Sequence, residues 1–404
     1  VRVALITDSP YVATGFGTTA KNLIPLLMDS GMEVTQLGIY HYDECRTNFH
    51  DTNILPVSRQ DSMGMNNLRD LLETRPDIVL IIHEIIYAGV WTRALRSMGY
   101  SNPIIGFVPV YGPILTKREL ITLRLLDLPI AFSEYGLRVM SNNNIDCSRI
   151  YLGVDHTLFS PISYDERDKI KHTLGWDSFF TFIYIARNRW NKQQPKLVRA
   201  ARMLIDMGIT DFRIYMHCVP TVMSPHWIPG MGMMSQEWDL VALRKELDVT
   251  DHVLFPDDLE DQHSGVRDVD LVDRLRSADC VVHVAHGEGF GLPLVESLAC
   301  GVPVACTADG RVMQEIVGDA GILIDTDHMI KDASGNTYKD VQPEEWAQTM
   351  ARIYHDLQDK SRMCNHRRIA YERSLVFDWK ITSANIVDHI RNSGGVPPKE
   401  WHHG

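Results

Sequence analysis

The sequence predicts an α/β protein made of two doubly wound, Rossmann-like domains in series, facing each other across a cleft. Three observations lead there. A chain of 404 residues, at roughly 150 per domain, allows two or three domains with full cores. From Val1 onward, short β-branched runs alternate with amphipathic stretches of about a dozen residues, the pattern of βα units. That cycle breaks at a polar stretch from Asp155 to Asp165 containing Pro161, and then starts again.

In the first half, strands are expected at 1–7, 32–40, 77–83, 103–110, 129–133 and 149–154. Helices are expected near 17–30, 62–75, 88–98, 117–127 and 134–142. After the break, strands fall at 179–186, 212–217, 252–256, 280–285, 303–307 and 321–325, with helices near 193–207, 236–248, 268–277, 291–300 and 311–317. Near-continuous apolar strands joined by helices belong in parallel sheets covered on both faces. The last sixty residues hold no strand pattern and read as helices near 343–358, 361–374 and 378–391, which must pack on something already built. The expected layout is a first domain at 1–155, a linker at 156–165, a second domain at 166–376, and a terminal helix and tail at 377–404 that pack across domains.

Composition narrows the function. Apolar residues at 45% and charged residues at 23% are ordinary globular usage and exclude a disordered tail or a collagen-like repeat. The net charge of −12 divides as −3 over residues 1–160 and −9 over the rest. Neither half is a basic module, so charge gives no support for a nucleic-acid partner. Seven scattered cysteines without a C-x-x-C pair read as reduced thiols in a cytoplasmic protein. The longest apolar stretch, Ile78 to Trp91, is interrupted by His83 and Glu84, so no membrane span and no integral membrane association are expected. Oligomeric state is left open.

Open α/β sheets bind ligands at the carboxyl ends of their strands, so the motifs of interest lie just after strands. TDSPYVATGFGTTAKNL follows the first strand. Gly15 and Gly17, flanking Phe16, would let backbone amides approach an anion at a helix N-terminus. The structural alternative is a plain strand-to-helix turn, since the third glycine of a dinucleotide fingerprint is missing. ARNRWNKQQP follows the first strand of the second domain, with Arg187 and Lys192 five residues apart. Two cations at a helix start would hold a diphosphate; otherwise they are a solvated basic turn, as Arg189 and Lys196 are expected to be. The most specific segment is HVAHGEGFGLPLVESLACGVPVACT at 283–307. Glu288 is expected to end a strand, and Glu296 lies about one turn inside the next helix. Two such carboxylates can hold two sets of hydroxyls on either side of a phosphate at the helix N-terminus, which is the shape of a sugar nucleotide.

GEGFGLPLVESLACGVPV resembles the E-x7-E region of the retaining family 4 glycosyltransferases of GT-B fold. The likeness continues through YLGVDHTLFSP (151–161), the Arg187/Lys192 pair, TGFGTTAKNL and DGRVMQEIVGDAGILID, in the family's order. Among its members, the short virus- and phage-encoded ones are most similar. The resemblance implies transfer of a hexose from a UDP- or GDP-sugar, such as UDP-glucose or GDP-mannose, to a hydroxyl acceptor with retention of configuration. It also implies no cofactor and no metal, an acceptor-binding first domain and a second domain that holds most of the nucleotide-sugar donor. Glu296 would take the ribose hydroxyls and Glu288 the sugar hydroxyls. Gly289, Phe290, Gly291 and Leu292 would line the donor, with backbone amides aimed at sugar and phosphate. Arg187 and Lys192 would neutralise the leaving diphosphate. One position departs from the pattern: the family's usual His or Asp after the fourth strand is Tyr111, in PVYGP (109–113). A phenol is neutral at pH 7 and cannot stabilise positive charge as a carboxylate does.

Tyr111 keeps a second reading open, a donor-binding module that has lost turnover. A GT-B sugar-nucleotide epimerase is a third, disfavoured because its acid-base carboxylates have no counterpart in this chain. A phosphorylase would need a far longer chain. Among weaker candidates, Asp268-Val269-Asp270 imitates a metal-binding D-x-D but starts a helix pattern; His283/His286 and His402/His403 imitate metal pairs. His83 and Glu84 end a strand facing the cleft and could meet the acceptor, although a satisfied strand-end histidine is the favoured account; Gly230 to Met234 reads as a mobile loop or, less favoured, a lid. The acceptor, a glycan or a modified nucleobase, has no recognisable code in the 41–61 and 112–118 loops.

Overall fold

A computed structural model describes residues 1–42, 47–222, 226–228, 232–234, 237–256 and 268–393. It divides into two compact units. The first comprises Val1–Gly153, Ser334–Asn336 and Phe377–Gly404; the second comprises Val154–Ala333 and Thr337–Val376.

The first unit is built on eight strands: β1 (Arg2–Asp8), β2 (Glu33–Ile39), β3 (Asn48–Phe49), β4 (Thr52–Leu55), β5 (Ile78–Ile82), β6 (Ile104–Val108), β7 (Leu128–Ala131) and β8 (Ser148–Arg149). Their order in the sheet is β3-β4-β2-β1-β5-β6-β7-β8. All neighbours are parallel except the short β3–β4 pair. Every residue of β5 and β6 is buried, as the uninterrupted apolar runs require of central strands. The connecting helices are α1 (Gly15–Asp29), α2 (Leu68–Glu73), α3 (Ile85–Ser97), α4 (Lys117–Leu125) and α5 (Glu134–Asn142). Helix starts follow side-chain chemistry: Thr14 caps α1, Ser133 caps α5, and Thr116 with Glu119 forms a capping box on α4.

The second unit repeats the plan with β9 (Phe180–Ile185), β10 (Phe212–His217), a hairpin of β11 (His226–Ile228) and β12 (Gly232–Met234), then β13 (Val253–Leu254), β14 (Cys280–His283), β15 (Val304–Thr307) and β16 (Gly321–Ile324). A second hairpin pairs β17 (Met329–Lys331) with β18 (Thr337–Lys339). The sheet order is β13-β10-β9-β14-β15-β16, all parallel. Helices α6 (Tyr164–Thr173), α7 (Gln194–Asp206), α8 (Leu240–Glu246), α9 (Asp268–Ser277), α10 (Leu292–Ala299), α11 (Val312–Val317), α12 (Pro343–Leu357) and α13 (Lys360–Ser374) accompany it. Trp346 and Met350 of α12 pack with Leu197, Ala201 and Leu204 of α7 in the core over β9 and β10.

Helix α14 (Trp379–Ser393) belongs with the first unit. Thr382 donates to the Tyr151 carbonyl at 2.8 Å, His389 meets Ser148 at 2.9 Å, and Arg391 donates to the Ser30 carbonyl at 3.3 Å. Among the described residues no helix is long and apolar enough to cross a membrane.

Several details depart from the sequence reading. The strand expected at 149–154 shortens to Ser148–Arg149, and α6 begins at Tyr164, inside the stretch read as linker. The residues of the hairpins β11–β12 and β17–β18 were not read as strands. The tail with His402 and His403 lies outside the described residues, as do Cys45 and much of the loop around Gly230.

Strand β14 is anchored at its start by ions. Asp279, 6% exposed, binds the Arg167 guanidinium, accepts from Lys171 at 2.7 Å, and takes the Thr181 N–H at 2.8 Å. Removing one partner of a buried cluster leaves the others charged and unpaired, costing about 3–5 kcal/mol. Asp279→Ala strands two cations from α6 and should lower the free energy of unfolding by that order, read by urea titration followed with circular dichroism.

Candidate functional site

In both units the chain runs from the central strand to one side of the sheet and then returns to the other. The reversal falls between β1 and β5 in the first unit and between β9 and β14 in the second. At such a point the loops leaving the two strands diverge and open a crevice beyond their carboxyl ends.

In the second unit that crevice is spanned by charge. The loop after β9 carries Arg187 and forms a single 3-10 turn, Trp190–Lys192, before Gln193 adopts the left-handed conformation (φ 54°) and α7 starts. Two bonds set its course: Tyr184 of β9 donates to the Lys192 carbonyl at 2.7 Å, and Gln194 donates to the Arg187 carbonyl at 2.7 Å. Lys192 Nζ lies 2.5 Å from Glu288 Oε1, and His283 Nε2 lies 2.8 Å from the same oxygen. Burial alone would raise the Glu288 pKa, but Lys192 and His283 outweigh it and hold the carboxyl down to about 2. Glu288 is therefore a fixed anion at physiological pH. It stands in the loop five residues past the end of β14 rather than ending the strand.

That loop delivers the chain to α10. Gly291 is the N-cap residue, at φ 91° and ψ 56°, a conformation that costs a side-chain-bearing residue energy. Its carbonyl takes the N–H groups of Leu294 and Val295, and Pro293 has none, so the Leu292 N–H is left at the positive end of the helix. Gly289 and Phe290 are buried in the approach, and Glu296, 9% exposed, sits in the second turn of α10 among Val295, Leu298 and Ala299. The structure thus joins Lys192 to Glu288 directly and places Gly291, Leu292 and Glu296 on the helix that follows. Arg187 shares the Lys192 loop.

A neighbouring cluster was not anticipated. Lys196, expected as a surface charge, is 8% exposed and ion-paired with Asp340, whose Oδ1 also meets His286 Nε2 at 2.7 Å. Gln342 donates to the other carboxylate oxygen at 2.8 Å. Burial, helped by Lys196, lowers the His286 pKa against the pull of Asp340. The imidazole Nδ1 is buried and meets no hydrogen-bond partner. Asp340 could not have been found from spacing, being 144 residues from Lys196.

In the first unit, Thr14 takes the Gly17 N–H at 2.9 Å and donates to Asp8 Oδ2 at 2.5 Å. Those bonds fix the start of α1 and leave the N–H groups of Gly15 and Phe16 at its tip. A side chain at Gly17 would collide with the carbonyls of Ser9 and Val12, so only glycine allows this turn. Phe16 stacks on His83, with centroids 4.6 Å apart. His83 accepts the Glu84 N–H on Nδ1 at 2.9 Å, so the proton is on Nε2, which donates to Asp8 Oδ1 at 3.2 Å. It is a satisfied strand-end histidine. Tyr111, three residues past β6, donates to Glu84 Oε1 at 2.6 Å. Asp8 is the polar group here that motif reading passed over. It stands at the end of β1, the one signal that could have found it.

Among the described residues no group of three or more His, Cys, Asp or Glu side chains could hold a metal ion. Asp268-Val269-Asp270 is the first turn of α9.

Residues 232–368 match the family model of glycosyl transferases group 1. That match covers about a third of the chain, over part of the second unit. Among curated proteins the chain resembles the D-inositol 3-phosphate glycosyltransferase of Streptosporangium roseum, 26% identical over 239 residues, covering 58% of this chain and 47% of that one. It also resembles the enzyme of that name from Paenarthrobacter aurescens, 32% identical over 133 residues, covering 32% and 28%. The aligned regions span about half the length of these relatives or less. Both are bacterial, and neither supports the expected likeness to viral members. Of solved structures, sucrose-phosphate synthase from Thermosynechococcus elongatus superposes with a TM-score of 0.71 at 15% identity, covering 97% of this chain and 98% of the other. Anabaena HepE in complex with UDP-glucose also gives 0.71 at 15% identity, covering 97% and 99%. At this identity the likeness shows the GT-B fold.

The depressed His286 pKa has a sign. Above the unfolded value of about 6.5 the ring is neutral in both states. As pH falls through and below it, the unfolded chain takes up a proton that the folded chain resists, so stability drops. His286→Gln should therefore reduce the loss of melting temperature between about pH 7.5 and pH 5.5, measured by scanning calorimetry.

Proposed function

We propose that the protein is a retaining, metal-independent glycosyltransferase that moves a hexose from a nucleoside diphosphate sugar to a hydroxyl acceptor. The observation that carries this reading is the ion pair of Lys192 with Glu288 at the head of α10, across the sheet's reversal point. A cation and a helix N-terminus suit a diphosphate, and a fixed carboxylate suits sugar hydroxyls.

In the reaction, the bond between the anomeric carbon and the phosphate oxygen breaks as the acceptor oxygen bonds to the same face of that carbon. The acceptor's proton passes to the departing phosphate. Charge therefore grows on the diphosphate. Lys192, Arg187 and the Leu292 N–H are the groups that stabilise it, more strongly in the transition state than in the ground state. Glu288 orients the sugar hydroxyls, and Glu296 takes the ribose. Phe290 and Gly289 shape the wall. UDP-glucose is the favoured donor, because HepE was solved with it; a GDP-sugar is the competing choice.

Two variants separate binding from chemistry. Ribose contacts are equal in ground and transition states, so Glu296→Ala should raise the donor Kd about tenfold or more, with a smaller change in kcat. Lys192→Ala should lower kcat by about 10²–10³. Thermal shifts with UDP, GDP and ADP, and initial rates with the matching labelled sugar nucleotides, measure both. Selective stabilisation by one nucleotide names the donor class; no shift with any of them, and no consumption of donor, removes the proposal.

A further inference from the structure

Tyr111 fills the one position at which the sequence departs from the family pattern, and its loop has an anchor that no local motif supplies. The anchor is Asn336, 222 residues beyond Ile114, which immediately precedes β18 and belongs with Ser334 and Gly335 to the first unit. Asn336 is 7% exposed. Its side chain accepts the Ile114 N–H at 2.8 Å and donates to the Ile114 carbonyl at 3.3 Å. An amide that gives and takes with one residue's backbone imitates a rung of antiparallel strand pairing. Gly112 makes the approach possible, because a Cβ there would stand 2.4 Å from Asn336 Oδ1. On the other side of Gly112, Tyr111 Oη donates to Glu84 Oε1 at 2.6 Å. The segment is thus pinned at both Tyr111 and Ile114.

We propose that Asn336 is a positioning residue for glycosyl transfer and that it acts through Tyr111. The inference rests on the glycosyl-transfer reading and deepens it. The physical reason lies in how different side chains depend on distance. A charged group acts through a field that falls as the inverse of separation, so a shift of about half an ångström changes little. A phenol is neutral at pH 7 and acts only through a hydrogen bond, which weakens steeply as length and angle depart from the ideal. A neutral group in this place therefore needs a backbone held more stiffly than a charged one would. The local sequence does not hold it, since the chain forms neither helix nor strand between Val108 and Lys117. Asn336 supplies the missing constraint from a distant segment. No bond to Asn336 forms or breaks in the reaction, and no substrate contact is assigned to it. Its contribution is the place of the Tyr111 hydroxyl.

The test is a double-mutant cycle, run with the labelled sugar nucleotide that thermal shift selects and read as donor consumption in water and with free glucose added. Asn336→Ala should lower kcat about tenfold, with donor Kd within about twofold. Asn336→Asp keeps the bond from the Ile114 N–H and loses the donation, so its rate should fall between the two. Tyr111→Phe should lower kcat by a similar factor. The variant carrying both Asn336→Ala and Tyr111→Phe should be no slower than the slower single variant, because nothing remains to be positioned once the hydroxyl is gone. Gly112→Ala should also slow the reaction, and should do so less when Asn336 is already alanine. A merely structural role would slow the reaction by factors that multiply in the double variant. Multiplying factors overturn the proposal, as does an unchanged kcat in Asn336→Ala. Where Asn336→Ala does not fold, the same cycle is read with Asn336→Asp. Failure of the wild-type protein to bind or consume any nucleotide sugar is a different result, which removes glycosyl transfer itself and this role with it.

Discussion

Everything functional in this molecule depends on how a parallel sheet reverses direction. A chain that winds first to one side of its central strand and then to the other leaves two adjacent strand ends whose loops part company. Such a gap is polar by necessity, because the backbone groups and side chains at strand ends have no helix above them. Each gap holds a carboxylate hydrogen-bonded to a histidine at the end of the returning strand. In the first unit His83 reaches Asp8; in the second His283 reaches Glu288, with Lys192 as a third member. The imidazole fixes the carboxylate's orientation while leaving part of it for other partners.

The buried charges elsewhere follow a related logic. Asp279 ties α6 to the start of β14, and Asp340 ties the residue after the β17–β18 hairpin to α7 and to the loop carrying His286. Burial penalises each ion, and only several simultaneous partners offset that penalty. The return is geometric, since both clusters hold the elements from which Lys192 and Glu288 project. Loops placed by rigid scaffolds are where binding groups belong.

Much of the fold was legible, and the reason is length. Strands such as Phe180–Ile185 and helices such as Gln194–Asp206 are long enough to show their period. The two-residue β3 and the three-residue β17 and β18 are too short to alternate visibly. Helix α6 was masked by composition, although Ser163 and Glu166 form a capping box whose spacing is readable. Lys192 and Glu288 were traceable because each follows a strand end. The Tyr111–Glu84 bond depends on the register of β5 against β6, which no local pattern encodes. Lys196 was misread as surface charge, yet it lies four residues before the buried Ala200, on the edge of the apolar stripe of α7.

The placement of α14 bears on biosynthesis. The second unit is complete once Val376 has left the ribosome, whereas the first still lacks the helix that covers α1. Vectorial folding normally finishes the N-terminal domain first; in this protein the later-made unit has all of its elements on hand first. Until Phe377 and the residues after it emerge, the face of α1 that α14 will cover stays open to chaperones and to aggregation. A nascent chain stalled between Val376 and α14 would thus hold all the elements of one unit and lack one of the other's.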